Sequence, residues 1–95
     1  MDLLINKESN VQINEQIMAQ LRYQIINGEL EQDSRLPSAR ELASLLNVNR
    51  HTVSKAYKEL ENEGLIVTKQ SSGTFVGKDI EIPKKQDIDR FVNTI

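Results

Sequence analysis

The sequence predicts a mainly α fold with a small β-hairpin, an α+β arrangement of three helices, a two- or three-stranded β element and a short C-terminal helix. Three observations carry this expectation. Residues 12–27 place apolar side chains at helical spacing. Residues 38–46 and 50–63 form two shorter helical patterns separated only by Asn47-Val48-Asn49. Residues 65–69 and 74–76 are rich in β-branched residues and flank a small polar loop.

The elements follow in order. In residues 1–10, Leu3, Leu4 and Ile5 read equally as an extended arm that contacts a partner and as a frayed terminus. The first helix carries Ile13, Ile17, Leu21 and Ile25 at four-residue intervals, with Met18 and Ile26 widening the stripe and Gly28 ending it. Tyr23 lies off that stripe, as a surface tyrosine. Residues 29–34 form a polar loop. Pro37 disfavours helix for the residue before it, so Leu36 is expected to be extended. Ser38 and Glu41 have the spacing of a capping box, in which a hydroxyl and a carboxylate each take a backbone N–H of the other residue. Leu42, Ala43, Leu45 and Leu46 then supply an apolar face.

Asn47 tolerates the left-handed conformation that ends helices. Val48 is expected to plug the angle between the helices, and Asn49 to cap the next one. At about 100° per residue, Val53, Ala56, Tyr57 and Leu60 share the inner face of that helix. His51, Ser54, Lys55, Lys58 and Asn62 share the outer face, with Arg50 and Thr52 flanking its first turn. Gly64 follows as a helix stop. Gln70-Ser71-Ser72-Gly73 forms the tip of a hairpin whose inner side is expected to take Phe75. Two capped helices, a tight turn and a hairpin make a winged helix-turn-helix. The helix at 50–63 is then placed for a DNA major groove and the 65–76 hairpin for a wing.

Charge distribution agrees with that placement. The formal net charge is −2, but residues 34–60 hold five basic residues against two acidic ones. The rest of the chain carries seven basic and twelve acidic residues. A basic patch on an acidic body orients approach to a polyanion. Base contact falls to Arg50, His51, Thr52, Ser54 and Lys55. Backbone contact falls to Arg35, Ser38, Lys58 and the wing residues Ser72, Gly73 and Thr74. Ser38 has a second reading as a pure helix cap, and the whole polar face a second reading as an ordinary solvated surface.

The strings RLPSARELASLL, VNRHTVSKAYKELENEGLI and SGTFV, with INEQIMAQLRYQIINGEL upstream, resemble the N-terminal domain of the GntR family of bacterial transcription regulators. The likeness covers roughly residues 11–77, in four blocks in order, and VNRHTVSKAY is most like the YtrA-like subfamily. The resemblance implies a winged helix-turn-helix that binds double-stranded DNA as a regulator, most often a repressor. It marks the Arg40 and Arg50 positions for base or phosphate contact. Where the family's wing has its first glycine, this chain has Ser71.

Other chemistry has little to stand on. The chain has one histidine, His51, and no cysteine, which removes disulfides, thiolate metal sites and histidine-based triads. No Gly-rich phosphate loop, signal-peptide pattern or membrane-length apolar run is present. The expectation is a cytoplasmic, non-enzymatic protein without cofactor or metal. Residues 1–77 form the DNA-binding domain, and 78–95 a linker with a short helix carrying Ile88, Phe91, Val92 and Ile95. That stripe and the Leu3–Ile5 arm are the candidate surfaces for a homodimer on a palindromic operator. A small-molecule effector could act only through a region not evident in this chain. Two alternatives stay open: a winged helix used for protein–protein contact, and a domain cut from a longer fusion with an effector-binding or aminotransferase-like part.

Overall fold

The computed structural model describes residues 1–78 and 80. Helix α1 spans Ile13–Ile26 and buries Ile17, Leu21 and Ile25, as the four-residue apolar spacing requires. Each such side chain contributes roughly 1.5–3 kcal/mol through burial. The helix stops where Gly28 enters the left-handed region at φ +77° and its N–H turns back to the Ile25 carbonyl, 3.2 Å away.

The polar side of α1 does something its composition does not announce. Gln16, Gln20 and Gln24, one turn apart, clamp the N-terminal segment. The Gln20 side chain accepts from the Leu4 N–H and donates to the Leu4 carbonyl, both at 2.8 Å. Gln16 does the same at Asn6, at 2.9 Å each way. Gln24 donates to the Asp2 carbonyl at 2.8 Å. Alternate residues of an extended segment present their backbone to one edge, so a turn-spaced glutamine row stands in for a neighbouring strand. Leu3 and Ile5 point inward and pack on the core. The arm is therefore part of this chain's own fold. Of its apolar residues only Leu4 remains outside, 86% exposed.

Strand β1 (Arg35–Leu36), helix α2 (Ala39–Leu46), helix α3 (Arg50–Asn62) and strands β2 (Ile66–Lys69) and β3 (Gly73–Val76) complete the fold. The Ser38–Glu41 capping box forms with both hydrogen bonds, at 3.0 and 3.3 Å. Asn47 ends α2 at φ +54°, and Asn49 accepts from the His51 N–H at 2.8 Å to start α3. Val48 is half-buried against the core between them. The Lys7 ammonium donates to the Asn47 carbonyl at 2.7 Å, so the arm also braces this turn. Tyr57 sets the angle of the helix pair: its hydroxyl donates to the Pro37 carbonyl at 2.7 Å.

The wing has three strands in the order β1-β3-β2, all antiparallel. Leu36 is extended as expected, and pairs with Thr74. Three side chains depart from their expected sides. Val76 faces the core, so by strand alternation Thr74 does too, at 8% exposed, and Phe75 lies on the outer face. Phe75 is half-buried there, with the Lys69 ammonium 4.6 Å from its ring centre. Leu45, expected on the apolar face of α2, is 75% exposed, because Leu42 and Ala43 define that face and Leu45 falls beyond it. The fold also runs past the hairpin. Gly77 donates to the Leu65 carbonyl at 2.8 Å, and a Cβ there would lie 2.7 Å from the Gly64 carbonyl. Most of the 78–95 segment, including its expected helix, lies outside the described residues.

Candidate nucleic-acid interface

Helix α3 carries the site by its amphipathicity. Val53, Ala56, Tyr57 and Leu60 anchor one face in the core. On the other side Arg50, His51, Lys55 and Lys58 are exposed and Thr52 and Ser54 partly so. Arg40 is exposed on α2, whose first turn carries the half-buried cap Ser38. Arg35 projects from β1, and its guanidinium lies across Gly73 at the wing: a Cβ on Gly73 would sit 3.3 Å from the Arg35 Nε. Gly73 is at φ +120°, a second reason for glycine there. Ser72 is exposed at the tip, and its N–H closes the turn onto the Lys69 carbonyl at 3.0 Å. Thr74 stands apart from the other expected contacts, since its side chain faces the core.

Electrostatic partnering divides the basic residues cleanly. Among the described residues, Arg22 forms a two-pronged ion pair with Glu63, at 2.6 and 2.8 Å. Lys69 and Lys78 both pair with Asp33, at 3.3 and 3.4 Å, and Lys7 is bound to a carbonyl. Arg35, Arg40, Arg50, Lys55 and Lys58 make no ion pair with a described residue. Among the described residues, the basic side chains outside 34–60 are thus engaged, and those inside make no ion pair. Glu63 sits at the negative end of α3, an unfavourable place for a carboxylate. The hydrogen bonds from Arg22 compensate and hold its carboxyl below the usual range, against a smaller opposing effect of burial.

Beneath this surface the Tyr57 phenol is pushed well above its ordinary value, by burial and then by the Glu41 charge. It remains a protonated donor to Pro37 and so a fixed strut between α2 and α3. Sequence reasoning missed the glutamine clamp, the Lys7 brace and the Asp33 pairings. Only the first left a trace, as glutamines at 12, 16, 20 and 24.

Residues 13–76 match the family model described as bacterial regulatory proteins, gntR family. The chain belongs to the GntR family. It is 50% identical over 74 residues to the HTH-type transcriptional repressor NagR of Bacillus subtilis (strain 168), covering 78% of this chain and 30% of NagR. It is 43% identical over 75 residues to the HTH-type transcriptional repressor YtrA of the same organism, covering 79% of this chain and 58% of YtrA. The chain thus spans less than two thirds of each of these relatives. The described fold is also similar to the DNA-binding domain of AraR in complex with operator ORX1, with a TM-score of 0.68 and 27% identity, covering 81% of this chain and 99% of that one. The GntR winged helix-turn-helix accounts for the three helices and the small antiparallel sheet.

Proposed function

We propose that this GntR-family chain is a sequence-specific DNA-binding transcription regulator, acting as a repressor without enzymatic activity in the cytoplasm. The observation that carries the reading is the division of cations. Five unpaired basic side chains converge on α2, α3 and β1, while the described basic residues elsewhere are engaged. Unpaired cations beside a helix with an exposed polar face suit a phosphate backbone and base edges. In this reading α3 enters the major groove, Arg50 and its neighbours read bases, and Arg35, Lys58 and the wing tip set register. Residues 1–77 act as the DNA-binding domain. One such module contacts too few base pairs to select a site alone, so the chain works as a homodimer on a palindromic operator. With Leu3 and Ile5 packed on the core, the arm is a weaker candidate for that dimer, and the other candidate from the sequence, the Ile88, Phe91, Val92 and Ile95 stripe, lies outside the described residues; an effector would bind through a region not evident in this chain. The protein–protein alternative has less support, since no large apolar residue is exposed on α3 and the outer face of the wing offers only Val67 and the half-buried Phe75, a small patch.

Selection from a random duplex pool, followed by affinity measurement against salt, tests the proposal. An enriched inverted repeat is expected, bound with a salt slope of about −0.9 for each phosphate neutralised. Arg50→Ala should cost roughly 1–3 kcal/mol on the selected site and relax one base position, whereas Lys58→Ala should weaken all sequences alike and reduce the slope by about one. Sedimentation should find two chains on the full repeat. Recovery of no sequence preference, or one chain per repeat with no gain from the second half-site, would remove the regulator or the dimer part in turn.

A further inference from the structure

Lys69 on the wing and Lys78 just after it are not free, and one residue holds both. Asp33 precedes β1 and has a left-handed backbone, φ +65°. Its N–H donates to the Val76 carbonyl at 3.0 Å, and the Val76 N–H donates to the Ser34 carbonyl at 2.8 Å. The carboxylate is therefore carried by backbone fixed against β3. Its Oδ1 lies 3.3 Å from the Lys69 ammonium and its Oδ2 3.4 Å from that of Lys78. Lys69 pairs with Gly73 across the hairpin, directly beside the tip, and also caps the Phe75 ring at 4.6 Å. Burial alone would raise the Asp33 carboxyl; the two ammonium groups outweigh it and lower it, so the group is ionised at neutral pH.

We propose that Asp33 is a positioning residue that withholds Lys69 and Lys78 from DNA phosphates and so lowers the wing's sequence-independent affinity for DNA. The inference rests on the reading of this hairpin as a DNA-contacting wing. Sequence-independent affinity follows the number of phosphates neutralised, and each added lysine contact increases it. A carboxylate anchored at the base of the hairpin, beside Val76, and reaching the Lys69 side chain opposes this twice: it occupies two ammonium groups, and its own charge repels phosphate. Both lysines are substantially exposed, at 45% and 65% of their side-chain surface. Ion pairs of that kind are weak, so removal of the carboxylate frees the lysines without disturbing the fold.

The test is D33N in the full chain, because Asn accepts a left-handed backbone as readily as Asp. D33G, which also accepts it, provides the second variant, and thermal melting checks the fold of both. Affinity for a random-sequence duplex is measured from low to high salt. Both variants should bind several-fold more tightly at about 0.1 M salt, with a slope steeper by roughly one to two units. K69Q should then weaken binding more in the D33N background than in the wild type, because in the wild type the carboxylate competes with phosphate for the lysine. Unchanged affinity and slope in both variants would overturn the inference, as would weaker binding, which would make Asp33 an aid to contact. A wild-type chain that binds no DNA at all would instead remove the underlying reading, and the inference with it.

Discussion

Ser71 shows how much one side chain can be asked to tolerate. It stands at the wing tip with φ +70°, in the region where a Cβ crowds the following carbonyl oxygen. The penalty for a non-glycine residue there is of order 1–2 kcal/mol, partly offset because glycine has more freedom to lose on folding. Ser71→Gly is therefore expected to stabilise the domain by about 0.5–1 kcal/mol, a rise of a few degrees in Tm by differential scanning calorimetry. The GntR resemblance already marked this place as one where glycine is usual, and the backbone supplies the reason. Gly73 behaves in the opposite way. Its φ of +120° is one that residues with a side chain rarely adopt, and a Cβ there would also press on the overlying Arg35 guanidinium. The residues whose roles were legible in the sequence act locally: a cap three residues from its partner, an asparagine at a helix end. Thr74 and Phe75 were not legible, because strand alternation fixes which of two adjacent residues faces inward only once register is known.

At the scale of elements, the start of α2 is held by two devices that can be separated by experiment. Ser38 caps α2, and Ser38→Ala is expected to lower stability by about 1 kcal/mol. If capping is its whole role, DNA affinity measured well below the melting point stays unchanged; an equal loss of affinity at that temperature would assign it a phosphate contact as well. Tyr57 is the second device. Its phenol is held above its unfolded value, so the folded state retains this proton more strongly than the unfolded state does. That contribution is fully present below the unfolded value of about 10 and is lost as pH rises towards the folded one. Urea midpoints followed by circular dichroism should therefore fall between about pH 10 and 12 in the wild type, and fall less over that interval in Tyr57→Phe. Both helices, their caps and the buried face of α3 could be read from sequence, because helical periodicity and capping chemistry are properties of neighbours in the chain. The third strand was only half legible. Pro37 announced an extended Leu36, yet its pairing with Thr74 joins residues 38 positions apart.

Across the whole molecule, the N-terminal arm is the feature that sequence reasoning could not decide. Leu3, Leu4 and Ile5 supported an arm and a frayed end equally, because the groups that hold the segment are amides on the flank of α1's apolar stripe. Glutamine at four-residue spacing signals a solvated helix face in most chains, and only a backbone lying alongside turns it into a clamp. The clamp satisfies one edge of the arm and leaves the other. Among the described residues, the backbone groups of Leu3 and Ile5 on that outer edge have no hydrogen-bond partner, and the exposed Leu4 stands between them. An unpaired extended edge beside an exposed leucine invites edge-to-edge sticking between molecules. This gives the domain a colloidal weakness that is separate from its thermodynamic stability. Leu4→Lys places a charge on that edge while leaving the clamped backbone and the inward Leu3 and Ile5 in place. The expected outcome is a higher solubility limit and less light scattering in concentrated solution, with the melting temperature and DNA affinity unchanged.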